Sequence, residues 1–528
     1  MTAPRIHDAG LFPSQMRLLL ILLTAAVGLN TVFFALWLGG LQAPPGDAGE
    51  AAFATFRNLQ WPVTMGLFVY SMVSWARHRR VLPLAGTPFA EVEGLVNSLM
   101  ADAGIRRTVT VRLGPRIGGR AYVVGLPRRP FLVFGPELLA LWLKDEGSRT
   151  LFTAIARHEV AHLRSRDLWS YTLVTMLRVV NVCTGAFVLF ALTLNATVAR
   201  NENLPFELPT AVARVIALIV VIELVARVFL RAREHDADRY AAEGSLEPIV
   251  AALRDSSSTS AAPVLRGWLR RHPTRGVRRM ALLEPERLLE SSPGQVFLGA
   301  CTGGVFLVTL QDMLLRFTPS ASHGDTPIAT GLIVGIPLTL FVAYTAWRDT
   351  WYAGLTGGRP KTLVTAAVLS AGLVVGSYAA LYTRVSGYGD TGIPLRVSTI
   401  LGVAAGALLL CGWLSLVGST WFRVDPAGAS LKRFTGFSVP AAAVVGGWVF
   451  AVVWTWSARL RGILLGCGAE EFRDHPVCLS PTPEADILGT VPGLVLSPWL
   501  AVAAVAAALP ITVPRLIGPS TAKDPDRG

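Results

Sequence analysis

Two histidines four residues apart, with a glutamate beside the first, are the residues of this 528-residue chain best suited to chemistry. His158, Glu159 and His162 read H-E-x-x-H. Residues four apart share one face of a helix, so both imidazoles can be aimed at a single ion. Neutral imidazole nitrogens suit zinc, and the intervening carboxylate suits a general base acting on a water that the ion activates. The chain has only 8 histidines, and chance supplies on the order of 0.005 such pentapeptides. The pattern therefore reads as chemistry rather than coincidence. A catalytic zinc needs a third protein ligand and one open position. The stretch 231–242 supplies candidates. Glu234 and Asp238 are four apart; one can ligate while the other orients a ligating histidine through its second ring nitrogen. His235, Asp236 and Glu223 compete for the ligand role. Glu223 lies inside an apolar run and pairs more naturally with Arg227 or Arg214. The alternative for this stretch is a charged helix solvated where the chain leaves a membrane.

The elements that must carry these residues are legible nearby. Leu151, Phe152, Ala154 and Ile155 recur at helical spacing, which predicts a motif helix over 148–167. Upstream, 91–103 reads as an amphipathic helix. The segments 108–113, 121–125 and 131–134 read as strands, separated by Gly-Pro, Gly-Gly and Pro-Arg-Arg-Pro turns. A further helix is expected over 136–144.

Around this part the chain is apolar: 52% of residues are hydrophobic and 16% charged. That composition points to a polytopic membrane protein and away from a soluble enzyme. About ten spans are expected, near 16–41, 61–76, 171–194, 210–230, 295–316, 328–347, 362–383, 397–422, 435–456 and 487–512. The net charge of +13 lies largely on arginines beside these runs. It reads as the positive-inside signal rather than a nucleic-acid footprint, so no nucleic acid is expected as a partner. This assignment places both termini and both polar stretches in the cytoplasm. Two spans separate His162 from Glu234, and an even number returns the chain to the face it left. The expected division is two spans over 1–76, a peptidase region over 77–293 interrupted by a span hairpin at about 171–230, six spans over 294–516 and a polar tail over 517–528. Cys183, Cys301 and Cys411 fall in apolar runs and read as packing residues. Cys467 and Cys478 fall in an outside loop, where a disulfide or two free thiols are both open.

H-E-x-x-H, a two-span hairpin and then R-E-x-x-A-D-x-x-A-A (residues 233–242) resemble the integral-membrane gluzincins, among them the HtpX-like proteases and the CAAX prenyl endopeptidase. The resemblance covers about 85–290. It implies a mainly α, polytopic membrane protein with a cytoplasmic α+β zincin-like metalloprotease domain, binding one zinc ion. It implies His158, His162 and Glu234 as ligands, Glu159 as base, and Asp238 as the partner of a ligating histidine. Asp167, in the basic run after His162, is a further candidate partner. Ala121, Tyr122, Val123 and Val124 are similar to the family's edge strand, which takes substrate backbone by β-addition. The family usually has Asn before that Ala, and this chain has Arg120. Arg271-His272-Pro273 followed by Arg278 and Arg279 resembles the family's H-P motif and later basic residue. That implies a catalytic role for His272 and an oxyanion role for one of the two arginines.

The function expected is a zinc endopeptidase of the cell membrane, acting at the cytoplasmic face on membrane or membrane-proximal proteins, with the lipid bilayer as its other partner. Two alternatives stand beside it: a signal-transducing receptor with protease output, and a transporter or scaffold with a degenerate metal site.

Overall fold

A computed structural model describes residues 11–42, 48–78, 81–84, 87–106, 109–126, 129–165, 167–199, 204–244, 246–253, 272–317, 325–380, 397–425, 431–466 and 498–517. The chain forms two compact units: Phe56–Phe187 with Ala226–Leu288, and Met1–Thr55 with Val188–Val225 and Leu289–Gly528.

The first of these holds the H-E-x-x-H motif. Its elements begin with the later part of α2 (Ala48–His78), then β1 (Leu82–Pro83), α3 (Glu91–Asp102), β2 (Thr110–Leu113), β3 (Ala121–Leu126) and β4 (Arg129–Phe134). They continue with α4 (Pro136–Ala140), a 3-10 turn at Leu141–Leu143, and α5 (Glu146–Arg164). Parts of α6 (Asp167–Ala199) and α7 (Leu204–Gly244), then α8 (Leu246–Ala252) and α9 (Arg275–Leu283), complete it. The four strands run in the order β1-β2-β4-β3. β2 and β4 are parallel, with Thr110 opposite Phe131. β3 and β4 are antiparallel, with Ala121 opposite Phe134. β3 is therefore an edge of the sheet. The core joins one face each of α3, the sheet and α5: Val92, Val96 and Leu99; Val111, Leu132 and Phe134; Phe152, Ala156, Val160 and Leu163. On α5 the residues at 152, 156, 160 and 163 form one stripe, and the 100° step per residue puts His158 and His162 on the far side. Core burial thus fixes the direction of the histidines.

The sequence-based expectations need three corrections here. The expected helix 148–167 is two helices: α5 ends at Arg164, Ser165 caps it, and Asp167 opens α6. Asp is favoured in a first turn, where exposed N–H groups and the helix dipole attract a carboxylate. The expected helix 136–144 is α-helical only to Ala140 and tightens into 3-10 geometry, common at helix ends. β1 was not expected; two residues including a proline carry no strand signal.

The other unit contains α1 (Leu11–Gln42), the middle of the α6–α7 pair, and α10 (Pro293–Phe317), α11 (Asp325–Thr356), α12 (Thr362–Ala379), α13 (Val397–Val424), α14 (Leu431–Gly466) and α15 (Pro498–Ile517). α1 packs on α10 and α11. There Gln15 Nε2 donates to Thr345 Oγ1 at 2.6 Å and the Arg348 guanidinium donates to Gln15 Oε1, all three groups shielded from solvent. Asp349 accepts from Ser291 Oγ at 3.0 Å and from the Lys361 backbone N–H. Trp347, Trp351, Trp421 and Phe434 stack edge to face around this end of the bundle. Trp421 Nε1 also donates at 2.8 Å to the carbonyl of Pro510, which Pro514 has no N–H to satisfy.

The described part of each of the ten expected spans lies in a helix, and the chain is a mainly α, multi-pass membrane protein. Among the described residues seven helices are long and apolar enough to cross a bilayer: α1, α6 and α10 to α14. α2 is diluted by Arg57, Asn58, Gln60 and Pro62, although its exposed Phe56, Trp61 and Phe68 suit contact with lipid. α7 carries Arg214, Glu223, Arg227 and Arg231 along its apolar stretch. The tenth expected span begins outside the described residues, and its described part holds the shorter apolar stretch Leu500–Pro514.

Candidate metal centre

α5 begins where Asp145 accepts the backbone N–H of Ser148 at 2.8 Å, a bond that also holds the Asp145 carboxyl below its usual range. More than three turns later α5 carries His158, Glu159 and His162, and α7 passes alongside with Glu234 and Asp238. Ala154 of α5 packs against Ala241 of α7 and Ile249 of α8, which sets the two helices close.

The imidazoles meet Glu234 symmetrically. His158 Nε2 lies 3.8 Å from Glu234 Oε2, and His162 Nε2 lies 3.8 Å from Glu234 Oε1. The ligand atoms of the three residues fall within 4.8 Å of one another. Donors on a tetrahedral zinc, each at about 2.0–2.1 Å, sit about 3.3 Å apart. The observed separations are close to that, and two nitrogens with a carboxylate form a zinc donor set. These residues fit the ion.

The other ring nitrogens face aspartates. His162 Nδ1 donates to Asp167 Oδ2 at 2.8 Å. In the neutral ring that bond keeps the proton on Nδ1, so that Nε2 is the nitrogen free to ligate an ion. His158 Nδ1 lies 3.0 Å from Asp238 Oδ1, a charge contact whose angle falls short of a hydrogen bond. Both aspartates are gripped by arginines. Arg278 Nε donates to Asp238 Oδ2 at 2.7 Å, and its terminal nitrogen to Oδ1. Arg233 Nε donates to Asp167 Oδ1.

Of the remaining sequence candidates, His272 and Arg278 come to the centre. His272 Nδ1 lies 3.1 Å from Glu234 Oε1, with its side chain 70% exposed. Thr274 caps α9 by accepting the Val277 N–H, and this start places Arg278 Nη1 3.5 Å from Glu234 Oε2. Arg279, one position on, points along another face of α9 and is not brought to Glu234 or Asp238. Ala121, Tyr122, Val123 and Val124 lie on edge strand β3, which packs against α5. Glu223, His235 and Asp236 stand outside the convergent set. Sequence reasoning gave Arg233 no role of its own: it opens the R-E-x-x-A-D motif, but its partner lies 66 residues away.

The electrostatics follow from burial and from these contacts. Burial pushes the Glu159 carboxyl up, and the two imidazoles pull it only partly back. Burial also works against charge on Glu234, but the His272 hydrogen bond and the histidine charges outweigh it and hold that carboxyl well below its usual range. For His162, burial disfavours the imidazolium, yet Asp167, Glu159 and Glu234 together lift it to about 9. Glu234 and Asp238 raise His272 and Arg278 respectively, against burial in both cases.

Two histidines and a carboxylate on two packed helices, His158 buried and His162 and Glu234 partly so, with a second carboxylate beside them, define a metallopeptidase type of site. Residues 88–286 match the model of peptidase family M48, the family that contains HtpX and the CAAX prenyl protease. That match spans the region in which the sequence resembles this family, and M48 peptidases are metalloproteases, typically of zinc. No curated protein and no solved structure matches the chain.

Proposed function

We propose that this protein is a zinc-dependent membrane endopeptidase that cleaves membrane or membrane-proximal proteins at the cytoplasmic face. The observation carrying this reading is the convergence of His158 Nε2, His162 Nε2 and the Glu234 carboxylate, with Glu159 next to His158 on the same helix. His158, His162 and Glu234 would hold the ion. Zinc, when bound, supplies a Lewis acid that activates water and polarises a carbonyl.

The chain's own residues do the rest. Glu159 is the base: it takes the proton of the attacking water and delivers it to the leaving amine. Its buried carboxyl, pushed up by desolvation, suits a group that must both accept and release a proton near neutrality. β3 is the edge strand of the described sheet and lies beside α5, and a substrate strand through Ala121, Tyr122, Val123 and Val124 would align the scissile bond. His272 and Arg278 are the cationic side chains against Glu234 and would steady charge developing on the substrate oxygen. Arg278 is already bound to Asp238, so the exposed His272 is the freer of the two. The intact donor set speaks against a scaffold with a degenerate site. The positive-inside distribution supports the cytoplasmic placement.

Glu159→Gln is the test. This variant should keep its zinc and lose proteolysis by roughly 100-fold or more, measured as metal content and cleavage of a casein-type substrate. Cleavage at the wild-type rate by the variant would remove Glu159 from the mechanism.

A further inference from the structure

Each histidine of the centre is backed by an aspartate, and each aspartate is held by an arginine. Arg278 grips Asp238 and also touches the ligand carboxylate Glu234. Arg233 touches no metal-ligand atom. Its Nε donates to Asp167 Oδ1, and a terminal nitrogen lies against the same oxygen. The other oxygen of Asp167 accepts a hydrogen bond from His162 Nδ1. That same terminal nitrogen lies 3.5 Å from the Ser165 carbonyl, and the other terminal nitrogen reaches Asp236 Oδ2 at 2.9 Å. One side chain thereby joins the end of α5, the first residue of α6 and the turn of α7 that bears Glu234. The contact is shielded, with the two side chains 16% and 11% exposed.

We infer that Arg233 is a positioning residue of the metal centre, acting through Asp167 to fix the ring plane of His162. The inference rests on the zinc reading above. A carboxylate tied to one imidazole alone can swing about its side-chain torsions toward water. A guanidinium is a planar fork, and against Asp167 it fixes where Oδ2 presents itself. That sets the direction of His162 Nε2 and therefore how well the donor set is prepared. Outer partners of metal-ligating histidines carry about 10–100-fold of metal affinity.

The test uses the full-length protein, stripped of metal and titrated with Zn²⁺ against a chromophoric chelator. It is then loaded with Co²⁺, whose visible spectrum reports ligand geometry. Arg233→Ala should weaken Zn²⁺ binding at least about 10-fold and alter the Co²⁺ spectrum. Arg233→Lys, which keeps the charge and loses the fork, should fall between it and wild type. Asp167→Asn should resemble Arg233→Ala, and the double variant should lose little more than the worse single variant, because both changes cut one chain of contacts. Wild-type affinity with an unchanged Co²⁺ spectrum in Arg233→Ala would overturn the inference. Fully additive losses in the double variant would overturn action through Asp167. If Arg233→Ala does not fold, Arg233→Lys and Asp167→Asn carry the same readouts, and a wild-type result in both counts against the proposal. A wild-type protein that takes up no Zn²⁺ is a different outcome: it overturns the zinc reading itself, and this inference with it.

Discussion

At the scale of single residues the centre is a competition between a proton and an ion for His162. In the metal-free protein this imidazole holds its proton until the pH passes about 9. A ligating nitrogen must be deprotonated, so an ion that takes it at neutral pH displaces a proton. Zinc affinity should therefore climb with pH, by about tenfold per unit for this one proton, and level off above about pH 9. Calorimetry in buffers of different ionisation enthalpy reads the released proton directly; a flat affinity between about pH 7 and 9 would contradict the account. The sequence already displayed His158, Glu159 and His162, because their types and spacing carry the chemistry without help from the fold. It displayed Glu234 and Asp238 through their four-residue spacing. It could not separate Arg278 from Arg279, since that choice depends on where Thr274 starts α9. Nor could it reveal Arg233, whose meaning lies in a contact across 66 residues of sequence.

At the scale of elements, the site depends on how tightly the sheet and α4 lead into α5. Gly135 links β4 to α4, with its N–H bonded to the Arg120 carbonyl at 2.9 Å. Its φ of −81° is open to any residue. The constraint is space, because a Cβ there would collide with the Gly118 carbonyl, which belongs to the backbone and cannot step aside. Gly135→Ala should therefore cost about 1–3 kcal/mol by overpacking and loosen β3, seen as a lower Tm and weaker peptide binding. Unchanged stability would mean that the Gly118 turn yields freely. The strands and the motif helix were legible because alternation and helical periodicity survive in short windows. Their joints were not. The break between α5 and α6 at Ser165 has a local ingredient in Asp167 at a first turn, but the contacts of Asp167 with His162 and Arg233 are tertiary, and no local pattern encodes them.

At the scale of the whole molecule, ten hydrophobic runs announced ten helices, because hydrocarbon tolerates few other structures. What hydropathy could not announce is that α1 belongs with α10 and α11, through Gln15, Thr345 and Arg348. Their partnership joins residues more than 300 positions apart. Gln15→Leu should remove one hydrogen bond each from the buried Arg348 and Thr345 and cost about 1.5–3 kcal/mol, read as a lower unfolding temperature of the purified protein in detergent. A variant as stable as wild type would show that this contact holds nothing together. Among the described residues of the six later spans none joins the metal-ligand group, and peptide hydrolysis is assigned to the centre in the other unit. The purified full-length chain, assayed for casein-type cleavage before and after chelation, tests that claim most directly. Chelation should abolish cleavage, and about one equivalent of zinc should restore it. Cleavage that persists in the chelated protein would contradict the account at its centre.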